Sequence, residues 1–118
     1  MQIRLGTFAH ARSGDKGAAA NIGVIARTQT AYDLLLRELT PQRVETFFAE
    51  LGTTQVTRYE LPNLLAFNFV LPGILGPGGG SLSLRSDAQG KALGQALLEM
   101  RIDVPEEQLP NLNFSAGR

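Results

Sequence analysis

Between Tyr32 and Leu51 apolar residues recur in two successive stripes at helical spacing, and a chain this short has to bury both against one common surface. Tyr32, Leu35, Leu36 and Leu39 follow the i, i+3, i+4, i+7 rule, and Val44, Phe47, Phe48 and Leu51 repeat it. Thr40 is the expected N-cap of the second helix, with Pro41 at its first helical position, where a missing N–H costs nothing. Gly52 suits a left-handed cap at its end.

The flanking sequence supplies that surface as strands. Residues 2 to 9 alternate, with Ile3 and Leu5 on one side and Gln2 and Arg4 on the other. His10 to Gly17 has turn chemistry and reads as a loop, after which Ile22, Val24 and Ile25 signal a second strand with Gly23 inside it, the mark of a bulge or a close backbone approach. Val56 to Leu61 and Leu65 to Leu71 read as a hairpin turning at Pro62 and Asn63, with Phe67 and Phe69 on one face. Leu71 to Gly80 holds too many prolines and glycines for a regular element, and Ser81 to Arg85 reads as a short edge strand. A last helix is expected from a capping box at Ser86 and Gln89, with a stripe of Leu93, Ala96, Leu97 and Met100. Gly90 and Gly94 each cost about 1 kcal/mol there relative to alanine, which close packing against a neighbour would offset.

The fold class is therefore α+β, an antiparallel or mixed sheet of four or five strands with the helices on one face. Moving the first strand to the end turns the element order into strand, helix, strand, strand, helix, strand, a permuted ferredoxin-like sandwich. One domain over residues 1–103 is expected, followed by an extended tail, 104–118. That tail either wanders in solvent or lies on a partner, and since Leu109, Leu112 and Phe114 would be exposed in a monomer, burial against another chain is the expectation they raise.

With 118 residues there is room for one core, and 43% hydrophobic against 19% charged residues is a globular balance. Eleven basic residues are matched by eleven acidic ones, so no overall field draws nucleic acid or an anionic membrane. There is no cysteine, which excludes disulfides, thiolate catalysis and iron–sulfur clusters. No secretory leader and no apolar run of membrane-spanning length is visible, so the chain reads as cytoplasmic.

Ala-Arg-Ser-Gly-Asp-Lys-Gly at residues 11–17, followed by Asn-Ile-Gly-Val-Ile-Ala-Arg at residues 21–27, resembles the hallmark of the AtuA-like (acyclic terpene utilisation) ferredoxin-fold domain. The likeness continues through Tyr59-Glu60-Leu61-Pro62, the Phe67 to Phe69 strand, the glycine-rich stretch and the Asp87 to Met100 helix. Such domains occur at the C-terminus of longer proteins and also as separate small ones. The resemblance implies the fold, a link by name to breakdown of acyclic terpenes through acyl-CoA intermediates, and a partner chain supplying the large N-terminal region that this short form lacks.

The chemistry-bearing residues cluster before the second strand. Arg12, Ser13, Gly14, Lys16 and Gly17 place two cations, a hydroxyl and backbone amides where an anion, such as an acyl-CoA phosphate, or a partner would meet them, and Asn21 either braces the sheet or faces the same site. The alternative is a structural turn in which Asp15 caps amides and a cation pairs with a carboxylate at a subunit contact. Phosphate-loop and dinucleotide spacings are absent. His10 is the sole histidine, either an acid–base group working with Asp15 or a hydrogen-bonded edge side chain. One histidine without paired ligands gives no metal site, and no cofactor is expected. The leading expectation is an accessory small subunit that associates with an AtuA-type large chain or with itself. The alternative is a self-sufficient lyase or hydratase acting on an anionic or acyl-CoA substrate, with His10 and Asp15 as its catalytic pair.

Overall fold

The structure, a computed structural model, describes residues 1–16, 19–73 and 86–112. β1 (Gln2–Arg4), β2 (Ala9–Lys16) and β3 (Ala19–Ala26) are followed by α1 (Gln29–Glu38) and α2 (Pro41–Phe47). β4 (Thr57–Leu61), β5 (Ala66–Leu71), α3 (Ser86–Leu97), β6 (Arg101–Asp103) and a short α4 (Leu109–Leu112) follow among the described residues. Four strands form one antiparallel sheet in the order β2-β3-β5-β4, and β1 pairs antiparallel with β6 in a separate ribbon. β2 borders β3, where a strand following α3 would close a ferredoxin-like βαββαβ order. The permuted α+β layout thus holds.

Register decides the core. Ile22 pairs with Phe69 and Val24 with Phe67 across the two central strands, and all four side chains are fully buried. Tyr32 of α1 stacks on Phe67 with ring centroids 4.7 Å apart, while Gly94 of α3 lies against Ser13, which pairs with Ile22. Both helical layers therefore cover the same face of the sheet.

The helix pair forms as its stripes dictate. Thr28 and Thr40 cap the two helices, their hydroxyls accepting from the N–H groups of Ala31 and Arg43. Gly52 takes the left-handed conformation, φ 90°, after a 3-10 turn at Ala49–Leu51, although Phe47 and Leu51 of the second stripe stay exposed. Arg58 was not singled out by sequence reasoning. From β4 its guanidinium donates to the carbonyls of Leu36 and Leu39 at 3.0 and 2.9 Å and pairs with Glu60, satisfying acceptors that a helix end otherwise leaves open.

Several expectations are corrected. The first strand stops at Arg4, because Leu5 and Gly6 turn to donate to Met100 and Leu98 carbonyls over the end of α3. Residues 10 to 16, expected as a loop, are β2, paired residue by residue with β3 as one arm of a hairpin. The glycine, serine and aspartate there favour turns only weakly compared with a full ladder and a place under α3. The ladder also runs through Gly23 without a bulge, and a Cβ there would make only ordinary contacts. The turn between β4 and β5 is longer than expected, a 3-10 turn at Pro62–Leu64 followed by Leu65 at φ 53°.

Leu93, Gly94 and Leu97 of α3 and Met100 just beyond its end are buried, while Ala96 faces solvent. Val104 and Leu112, in the expected tail, are fully buried in this chain's own core, so their burial needs no second chain. The glycine-rich stretch from residue 74, the edge strand at 81–85, the capping-box side chains and Phe114 lie outside the described residues.

Gly94 answers its expected packing role. Its N–H donates to Ser13 Oγ at 3.0 Å, and an added Cβ would stand 3.1 Å from that oxygen and 3.4 Å from the Arg12 carbonyl carbon. Gly94→Ala is expected to lower stability by about 1 kcal/mol or more in urea unfolding, although alanine is the better helix former. The Tyr32 hydroxyl is buried without a hydrogen-bond partner among the described residues, and burial, with Glu60 nearby, raises its pKa. The neutral phenol is thus the form the fold favours, and its contribution is complete below the unfolded value, about pH 10, and lost as pH rises further. Tyr32→Phe is expected to leave stability at pH 7 unchanged or up by as much as ~1 kcal/mol and to flatten that alkaline decline, as read from thermal melts.

Candidate functional site

With one face of the sheet under helices, the other is open, and the register arranges its side chains in three rows across the strands β2, β3, β5 and β4. The central row is Arg12, Gly23, Asn68 and Tyr59. One flanking row is Gly14, Asn21, Val70 and Thr57, and the other is His10, Ile25, Ala66 and Leu61. At the usual strand spacing, Arg12 and Tyr59 stand about 14 Å apart across three ladders. Ile25, Tyr59 and Leu61 are 40%, 54% and 41% exposed, unusual for large apolar side chains on a sheet. Among the described residues no Asp or Glu occupies a strand position on this face.

The candidates from the sequence separate by strand parity. Arg12, Gly14, Asn21 and His10 share the open face, and Lys16 holds a position in the same alternation opposite Ala19. Ser13 is on the opposite, helix-covered side, where its hydroxyl accepts from Gly94 N–H, and Asp15 occupies that side's alternation opposite Ala20. Gly17 and the side chains of Asp15 and Lys16 lie outside the described residues. The six-residue string therefore does not present its groups together, and every second backbone amide is engaged by β3 instead of an anion.

His10 is tied to Arg27, whose Nη1 stands 2.8 Å from His10 Nε2. A guanidinium can only donate, so Nε2 accepts and the ring is the neutral tautomer with its proton on Nδ1. A base needs that lone pair free, so the contact opposes the acid–base role. Asn21 lies over Gly14, its Oδ1 3.5 Å from where a Cβ of that glycine would be. Tyr59, Ile25 and Leu61 escaped the residue-by-residue search because only the strand pairing shows that they share a face with Arg12.

Two surface clefts lie away from the centre of this face. One, of about 320 Å³, is lined by Gln42, Arg43, Thr46, Phe47 and Met100. The other, of about 270 Å³, is lined by Ala11, Arg12 and Ser13 of β2 with Gln95 of α3. Among the described residues there is no cluster of three or more His, Asp or Glu able to hold a metal ion, and no helix long and apolar enough to cross a membrane. The chemistry suited to such a surface is recognition, by Arg12 and the two asparagines for polar groups and by Tyr59, Ile25 and Leu61 for apolar area.

Among protein families, the AtuA ferredoxin-like domain has a sequence model that matches residues 3–103. Comparison with curated proteins and with solved structures gives no match. For His10, a long-range proton–nitrogen spectrum at neutral pH is expected to show protonated Nδ1, and Arg27→Ala is expected to shift the ring toward the Nε2–H form usual in water.

Proposed function

Because the chain belongs to the AtuA ferredoxin-like domain family, we propose that it is an accessory small subunit associating with an AtuA-type large chain, in acyclic terpene or related acyl-CoA catabolism. The observation that carries this reading is the open sheet face, where Tyr59, Ile25 and Leu61 are exposed in the single chain on the same side as Arg12. Flat faces of this kind, apolar with an arginine and an aromatic residue, have the composition of the centre of a protein interface. A catalytic pocket would converge titratable groups in a concavity. Here His10 is engaged by Arg27, and Ser13 faces α3.

The subunit reading places the large chain's surface over the central row, with Arg12 meeting an acidic group or an acyl-CoA phosphate carried by the complex. Arg12 has no ion-pair partner among the described residues, so such an anion would meet a guanidinium held in place by the strand and not already neutralised.

Co-expression with an AtuA-type large chain is expected to yield a complex stable through size exclusion. Tyr59→Ala and Leu61→Ala are expected to weaken it about tenfold or more while leaving the melting temperature of the small chain nearly unchanged, since both side chains are exposed. Failure to copurify, or turnover of an acyl-CoA substrate by the purified small chain alone, removes the subunit reading in favour of the lyase or hydratase one.

A further inference from the structure

Among the described residues β2 is an edge strand of eight residues, and the hydrogen-bond parity of the sheet states which of its backbone groups point outward. Arg27 N–H donates to the Phe8 carbonyl, and Ala26 N–H donates to the Leu65 carbonyl on the other side of β3. Odd-numbered residues of β3 therefore bond to β2 and even-numbered ones to β5. In β2 the backbone groups of His10, Arg12 and Gly14 turn inward to β3, and those of Ala11 and Ser13 turn to the outer edge. The 270 Å³ cleft is lined by Ala11, Arg12 and Ser13 together with Gln95 of α3. Ala11 carries only a methyl group there, and its N–H and C=O have no backbone partner among the described residues.

The outward donor and acceptor of Ala11, without a backbone partner among the described residues, match one kind of occupant, another extended backbone. We infer that the outer edge of β2 binds an extended peptide segment as an added strand, with a carboxylate side chain of that segment beside Arg12 on the open face. The segment would continue the four-stranded sheet, its backbone bonded to Ala11 and its alternate side chains resting in the cleft against Gln95.

Charge disfavours a second copy as the occupant in the registers that oppose two cations and favours a partner that brings a carboxylate. In an antiparallel pair, opposed residues share a face, so the two-fold axis relating two β2 strands has to pass through a residue. An axis at Arg12 sets that arginine against its own copy. At Gly14 it sets Arg12 against sequence position 16, a lysine, whereas at Ala11 or Ser13 only the neutral His10 stands opposite a cation. Like charges directly opposed destabilise a ladder, whereas a carboxylate beside Arg12 gains a charge-assisted hydrogen bond.

The inference rests on the reading of the chain as a partner-binding module and adds how the partner is held. Its test is selection of a displayed library of unconstrained decapeptides on the full chain, with the same library run on Ala11→Pro. Proline is tolerated at an edge strand where its N–H faces outward, and it removes the donor in question. Enriched peptides carrying Asp or Glu among β-branched residues are expected, binding Ala11→Pro and Arg12→Glu about tenfold or more weakly. Hydrogen exchange on the unsubstituted chain reads the same contact without a variant. The Ala11 amide is expected to slow by about tenfold or more when such a peptide is bound.

Absence of enrichment, peptides that bind Ala11→Pro equally well, or unchanged exchange at Ala11 overturns the inference. So does a concentration-dependent dimer of the chain that Ala11→Pro dissolves. A complex with the large chain that survives Ala11→Pro removes strand addition and leaves the subunit reading. Peptides bound at β2 without any such complex do the reverse.

Discussion

Ile22 and Val24 of β3 lie fully buried between β2 and β5, and the pairing that puts them there fixes the facing of every other residue in the sheet. Ser13 follows Ile22 to the helix side, Phe67 and Phe69 follow Val24 and Ile22, and Arg12, Gly23, Asn68 and Tyr59 are left together on the open side. A slip of one residue in the β2–β3 hairpin would exchange the faces of β2, sending Arg12 under α3 and Ser13 to solvent. Burial of the two aliphatic side chains and exposure of the recognition surface are thus one constraint seen from its two sides.

Polar side chains hold the layers where apolar contact alone would leave backbone groups open. Arg58 spans from edge strand β4 to the last carbonyls of α1, and its guanidinium also stands 5.2 Å from the centre of the Phe67 ring. Arg43 does similar work from α2, donating to the carbonyls of Glu38 and Arg101 and so joining the helix pair to β6. The outer pair of Arg4 with Glu99 is bidentate and lowers the Glu99 pKa through its hydrogen bonds, but both partners are exposed and the gain is small. The three arginines thus differ in consequence: two satisfy helix and strand ends, and one decorates the surface.

The same economy shapes the candidate surface. Its cation and asparagines lie along β2, β3 and β5, and its large exposed apolar side chains lie mostly on β4, so opposite margins of one flat sheet suit different parts of a partner. Gly23 at its middle gives no side chain to either margin, which keeps the floor low between Arg12 and Asn68. Chemistry at a pocket would demand convergence, and strand geometry here spreads the groups out.

Helical periodicity, the Thr40-Pro41 junction, the Gly52 cap and the Phe67–Phe69 alternation were all legible in the sequence, because each depends on neighbours within a few residues. The family was legible as well, from polar strings whose order is a property of the chain alone. The strand character of residues 10–16 was not, since turn-forming residues there yield to a ladder that only a second strand and α3 can supply. Nor could the sequence place Tyr59 on the same face as Arg12, tie His10 to Arg27, or bury Leu112, which depend on contacts between segments far apart in the chain. Sequence by itself determined helices α1 to α3, the β4 and β5 strands and the family to which the chain belongs. Only the tertiary structure decided which face each residue occupies, because facing is set by pairing between strands and not by the order of residues within one.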